Sequence, residues 1–187
     1  MPLSDDQFAA IAGSICREAD LLVRRLSPPD VPALVALNDS AYPAVPITSA
    51  DAMRELLGHA DVAAAIERKG VIVGFVVTLG QGADYDSENY RFFSERGVDS
   101  RYVDRIVIAE TERGGGLGVA LYRLVFAAAR AEGHAEVTCE VNLDPPNLGS
   151  LAFHERLGFV SVGTQTTKGG AVTVTLLAAP VTALGVE

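Results

Sequence analysis

The residues Ile106-Val107-Ile108 run through 109–112 into Arg113-Gly114-Gly115-Gly116-Leu117-Gly118-Val119, and this glycine-rich junction is the part of the chain best suited to hold a charged ligand. The residues beyond it have helical spacing. Leu117, Leu121, Leu124, Val125 and Ala128 share one face, Arg123 and Arg130 lie off it, and Gly133 supplies a stop. A helix opening at Leu117 leaves its first backbone N–H groups without partners. The aligned peptide dipoles add roughly half a positive charge at that end, so an anion such as phosphate or pyrophosphate is favoured. Two common phosphate patterns do not fit. A mononucleotide P-loop needs Gly-Lys-Ser/Thr where this chain has Gly118-Val119-Ala120. The dinucleotide fingerprint, laid on Gly114 and Gly116, meets Val119 in place of its last glycine, and no acidic residue closes a second parallel strand about 20 residues on. Taken alone, the cluster also reads as an ordinary turn.

The elements that must position this junction follow from periodicity and punctuation. Residues 1–20 read as a helix, with Phe8, Ile11 and Ile15 at helical spacing, followed by a strand at 21–26. Helices are expected from Pro28 to about Ser40 and near 49–57, with Ser49 and Asp51 as caps and a loop at 41–46 between them. Strands at 61–67 and 71–79 flank the turn Arg68-Lys69-Gly70. Residues 80–100 are polar and read as a long loop with one helical turn around Tyr90, Phe92 and Phe93. Then come a strand (102–109), the glycine turn (112–116), a helix (117–132), a strand (136–141), a helix (147–157), strands at 159–166 and 172–178, and a loosely held tail to residue 187. This order gives an α/β layer with parallel neighbours. With 187 residues, about half of them apolar, and no repeat or linker, one domain spanning 1–187 is the economical reading.

Composition narrows the partners. Asp and Glu outnumber Lys and Arg by 24 to 15, and a net charge of -9 repels nucleic acid and anionic lipid, so neither nucleic-acid nor membrane partners are expected. No stretch approaches the roughly 20 apolar residues of a membrane span, and the start lacks a secretory pattern. Two isolated cysteines, Cys16 and Cys139, suit a reducing, cytoplasmic setting and, with three scattered histidines, form no metal site. Cys139, within Val137-Thr138-Cys139-Glu140-Val141, reads as a buried strand residue.

Two blocks together resemble one family. Arg113-x-x-Gly116-x-Gly118 is similar to the Q/R-x-x-G-x-G/A motif with which GNAT-superfamily acetyltransferases hold the pyrophosphate of coenzyme A (CoA). Asn147-Leu148-Gly149-Ser150-Leu151-Ala152-Phe153-His154-Glu155-Arg156-Leu157-Gly158-Phe159 resembles the family's later signature, an Asn leading a helix that ends in Gly-Phe. The likeness covers about residues 21–178. It implies the GNAT fold, α/β with a mixed, mostly antiparallel sheet of six to seven strands, a splayed parallel central pair, and helices on both faces. It also implies acetyl-CoA as co-substrate, no metal, and transfer of the acyl group to a primary amine of a small molecule, peptide or protein. A homodimer pairing through residues 172–177 is a further implication. The alternative reading is a domain of the same fold that binds acyl-CoA without turnover, as a sensor or partner subunit.

By the same resemblance, backbone groups of Ile106 and Ile108 pair with the pantetheine arm. The amides of Gly114, Gly115, Gly116, Leu117, Gly118 and Val119, beside Arg113, hold the pyrophosphate. Asn142 and Asn147 bond the pantetheine amides, although Asn147 is also a natural N-cap. The acceptor must lose a proton before it attacks: for a lysine-like amine of pKa about 10.4, that costs roughly 4–5 kcal/mol at neutral pH. Asp104 and Glu140 are the carboxylates best placed to act as base, with ion pairing to Arg105 or Arg101, or exposure to solvent, as their alternatives. Family members commonly use a tyrosine to protonate the departing thiolate. This chain has His154 there, and an imidazole can also donate a proton near neutral pH. Acceptor choice falls to 40–58 and 80–100.

Overall fold

Among the described residues, the β-branched and alternating segments form seven strands of one sheet, and the intervening amphipathic stretches form six α-helices packed against its two faces. The computed structural model describes residues 3–15 and 20–184, so Cys16 lies outside the described residues. The strands are β1 (Leu21–Arg25), β2 (Val62–Arg68), β3 (Val71–Leu79), β4 (Ser100–Ile108), β5 (Glu136–Asp144), β6 (Val160–Thr167) and β7 (Val172–Pro180). The helices are α1 (Asp5–Ile15), α2 (Val31–Asp39), α3 (Ala50–His59), α4 (Glu88–Glu95), α5 (Leu117–Glu132) and α6 (Leu148–Arg156). The sheet runs β1-β2-β3-β4-β5-β7-β6. All neighbours are antiparallel except β4 and β5. The resulting fold is the mixed, mostly antiparallel sheet with a central parallel pair that the resemblance implies.

Two apolar cores sandwich the sheet. One gathers Phe8 and Ala12 of α1 and the buried stripe of α5, including Leu121, Val125 and Ala128, against the inner residues of β2, β4 and β5, with Leu151 and Phe153 of α6 packed alongside. The other places Leu34 of α2, Met53 and Leu56 of α3, and Tyr90 and Phe93 of α4 against Phe75, Val77 and Val107. Burying a large apolar side chain contributes about 1.5–3 kcal/mol, which makes these stripes the main anchors of the helices.

Four expectations change. The 80–100 segment holds the two-turn helix α4, not a single turn, because the Ser87 side chain caps it by accepting from the Tyr90 N–H, and its apolar face buries Tyr90 and Phe93. Parallel neighbours reduce to one pair, because β6 and β7 form a hairpin that inserts β7 beside β5. The strand proposed to pair across subunits is therefore internal, with both of its edges already bonded. The tail is also tied down: β7 runs to Pro180, and the Arg130 guanidinium donates to the carbonyls of Val181 and Leu184 at 2.6 and 2.8 Å.

What positions the site is a local failure of strand pairing. β4 and β5 are paired only from Ser100/Glu136 to Tyr102/Thr138, and then diverge while each remains bonded on its far side, to β3 and β7. A β-bulge lies at the point of divergence: Val103 pairs with Thr78 and Arg105 with Val77, leaving Asp104 as the extra residue. Such a bulge bends its strand and re-aims side chains.

Candidate active site

The glycine turn opens a helix with unspent donors. Gly114 and Gly116 have φ of 81° and 82°, a left-handed conformation that costs other residues about 1–2 kcal/mol. A Cβ at either position would meet nothing within 4 Å, so it is backbone conformation and not crowding that favours glycine there. Among the described residues, no protein group accepts from the N–H of Gly114, Gly116, Leu117, Gly118 or Val119. The Gly115 N–H differs, turning back to the Glu112 carbonyl at 3.4 Å. Gly118 lets α5 pack closely on α6, since a Cβ there would lie 3.1 Å from Phe153 Cζ. Arg113 folds back and donates to the Ile108 carbonyl at 3.3 Å.

The same carbonyl defines the gap between β4 and β5. The Ala109 N–H donates to Val73 of β3 at 2.8 Å. Backbone groups alternate in direction along an antiparallel strand. Ile106 and Ile108 therefore turn their N–H and C=O groups away from β3, into the space from which β5 has withdrawn. Across that space, Asn147 caps α6 by accepting from the Ser150 N–H at 3.2 Å, and Asn142 donates to the Pro43 carbonyl at 3.3 Å. Both asparagines line a cavity of about 560 Å³ that also takes in Asp104, Glu140, Tyr122 and His154. Ile106 of the open strand edge, both asparagines and the carboxylates thus line one cavity, and β4 runs on from it to the helix-end amides of the glycine turn.

Both sequence-selected carboxylates are buried beside each other. Glu140 is pushed up to about 7, first by burial and then by the neighbouring Asp104 charge. Its Oε2 has no hydrogen-bond partner. Asp104 is likewise raised by burial, with Arg105 and Tyr85 pulling it back. The Tyr85 hydroxyl donates to Asp104 Oδ1 at 2.7 Å, while Oδ2 lies 3.3 Å from Arg105 Nε outside hydrogen-bond geometry. Of the two arginines weighed as partners for Asp104, the structure selects Arg105; Arg101 lies fully buried against Glu132. A carboxylate that titrates near 7 is matched to removing a proton at neutral pH.

His154 is buried, 3% exposed, on α6. Its Nδ1 lies 2.7 Å from the Ser150 carbonyl, which can only accept, so Nδ1 carries the proton. Burial holds the imidazole below its ordinary pKa, against the Ser150 bond, so the ring is neutral and Nε2 accepts from the Tyr122 hydroxyl at 2.7 Å. Both ring nitrogens are thus engaged, and Tyr122 and His154 line the cavity as one hydrogen-bonded pair.

Sequence reasoning missed Tyr122, and it weighed Arg105 only as an ion-pair partner of Asp104 and Tyr85 only as part of the 80–100 segment. Tyr122 is 32 residues from His154 and is brought to it by the α5–α6 packing. Tyr85 is placed by the loop that Tyr90 ties down, accepting from the Ala83 N–H and donating to the Gly80 carbonyl. The juxtaposition of aromatic residues with Asp84, Asp86 and Glu88 was the available signal. Among the described residues no group of three or more His, Cys, Asp or Glu could hold a metal ion, and no helix is long and apolar enough to cross a membrane.

Comparison with known proteins agrees with this geometry. The ribosomal-protein-S18-alanine N-acetyltransferase of Escherichia coli superimposes with a TM-score of 0.66 at 18% identity, over 88% of this chain and 96% of that one. Ard1 from Thermoplasma volcanium gives 0.69 at 15% identity, over 87% and 98%. A chain of the NatC complex, solved with Gag peptide and CoA, gives 0.66 at 14% identity, over 86% and 98%. These identities establish a shared fold. No curated protein sequence matches. The acetyltransferase (GNAT) family matches residues 31–159, a span that contains the glycine turn, both carboxylates and the Asn147–Phe159 block, and the chain therefore belongs to the GNAT acetyltransferase family.

Proposed function

We propose that the chain is an N-acetyltransferase that takes the acetyl group of acetyl-CoA and delivers it to a primary amine of a small molecule, peptide or protein by direct attack on the thioester. The observation that carries this reading is the splayed β4–β5 gap, which has unpaired helix-end amides following its β4 edge and a carboxylate pushed up to about 7 on its β5 wall. Gly114, Gly116, Leu117, Gly118 and Val119 hold the pyrophosphate through main-chain N–H groups, with Gly115 closing the turn and Arg113 beside it. Ile106 and Ile108 pair with the pantetheine amides, and Asn142 and Asn147 bond them from the other wall. Glu140 takes the proton of the incoming ammonium. Asp104, held by Tyr85, keeps negative charge beside that ammonium. The Tyr122–His154 pair supplies the proton to the departing thiolate.

The test has two stages. CoA at 100 times its dissociation constant should stabilise the fold by about 2.7 kcal/mol in thermal unfolding. Thiol release from acetyl-CoA should then depend on an amine drawn from a panel of small amines and peptides. The double engagement of His154 favours a second reading, a protein that binds acyl-CoA without turnover; stabilisation by CoA with no amine-dependent thiol release would select it.

A further inference from the structure

We propose that Arg105 binds a carboxylate on the acceptor, so that the amine this site serves is an amino-acid-like molecule carrying its acid group close to its amino group. The inference rests on the acetyl-transfer reading above and adds the acceptor's chemical class.

The bulge that makes Asp104 the extra residue of β4 brings Asp104 and Arg105 together to the wall of one cavity. The Arg105 side chain is 13% exposed. A guanidinium so withdrawn from water should have its N–H groups met by acceptors. Other withdrawn arginines are: Arg24 donates to Asp30 and Glu67 at 2.6–2.9 Å, and Arg96 to Glu136 at 2.5 Å. Arg105 is not. Its Nε is buried without a hydrogen-bond partner, and among the described residues no group accepts a hydrogen bond from the rest of the guanidinium. Asp104 sits close enough to offset its charge, but is held at Oδ1 by Tyr85 and does not turn a lone pair to the fork.

The opposite need exists in the same cavity. Asp104 Oδ2 and Glu140 Oε2 are buried acceptors without donors. A ligand that satisfies both sets carries an ammonium for the carboxylates and a planar, two-oxygen acceptor for the guanidinium, which binds such groups through two parallel hydrogen bonds. A simple monoamine satisfies one set and leaves the guanidinium fork without a hydrogen-bond acceptor. A peptide carbonyl offers one oxygen and half the match.

The experiment compares kcat/KM for α- and longer amino acids, each against its own carboxamide, with acetyl-CoA saturating. The wild-type protein should prefer the carboxylate member of at least one pair by about 10–100-fold, the discrimination expected when a hydrogen bond between charged groups is lost. In Arg105→Gln that ratio should collapse towards one, chiefly through KM, and Arg105→Lys should restore part of it. Retained stabilisation of Arg105→Gln by CoA shows that the variant is folded. Carboxamides or plain monoamines used as well as acids, or a ratio unchanged in Arg105→Gln, would overturn the inference while leaving acetyl transfer standing. Stabilisation by CoA with no turnover on any amine would sink both.

Discussion

The cleft is built by two different means at its two ends. At the glycine turn the binding groups are main-chain amides, fixed by the geometry of a helix start and by two residues with positive φ. At Asp104 and Glu140 the groups are side chains withdrawn from water, whose proton affinities are raised by burial and, for Glu140, also by the neighbouring Asp104 charge. The first end is inexpensive, because a helix must leave those amides open in any case. The second is a strained arrangement that a stable protein would avoid. On the proposed function the difference separates binding from chemistry: the turn would hold the common half of the reaction, and the buried pair would confer reactivity.

The sharpest way to separate the two ends is Glu140→Gln. It should lower kcat for amine acetylation by about 100-fold or more, the usual contribution of a general base, while CoA still stabilises the variant as it does the wild type. Equal loss of CoA binding would merge the two regions. The same variant should reveal the strain. The Glu140 carboxyl holds its proton up to about 7 when folded, against 4.5 ordinarily. Between those values the native state binds more protons than the unfolded chain, so stability falls as pH rises through that window. Above it Glu140→Gln should be more stable than wild type by about 3 kcal/mol, measured by denaturant unfolding at pH 8 and absent at pH 4.

Gly116→Val tests the other end. A β-branched residue at φ 82° forces the turn to move, and CoA affinity by calorimetry should weaken about tenfold, with the pH dependence of the residual activity unaltered. Tyr85→Phe is the mildest: loss of one hydrogen bond to Asp104 should reduce kcat/KM about 3–5-fold and leave CoA affinity as it was.

The same division decides what the sequence could reveal. Helix α5 and its opening turn are local: Leu117, Leu121 and Leu124 repeat at helical spacing, the glycines mark the junction, and Gly133 takes the left-handed cap that its position suggests. The Asn147–Phe159 block is equally local, with Asn147 capping α6 as its type predicts. Asp104 and Glu140 were identifiable as carboxylates in adjacent strands, but their burial was not, because it depends on how β4 leaves β5. Arg105 was hidden by the bulge. In an unbroken strand neighbours point to opposite faces, and Asp104-Arg105 carries no residue signal that marks an extra position. Tyr122 sits within the helical stripe of α5 and looks like one more core residue until the partner on α6 is in place.

The most direct measurement is the pH dependence of kcat/KM for an amine acceptor in the wild type and in Glu140→Gln. With Glu140 as base and the acceptor bound as its ammonium, the wild-type profile should rise to a plateau above about 7. The variant, able to use only free amine, should keep climbing towards the acceptor's own pKa. Parallel profiles for the two proteins at every pH would contradict the assignment of Glu140 as the group that takes the proton.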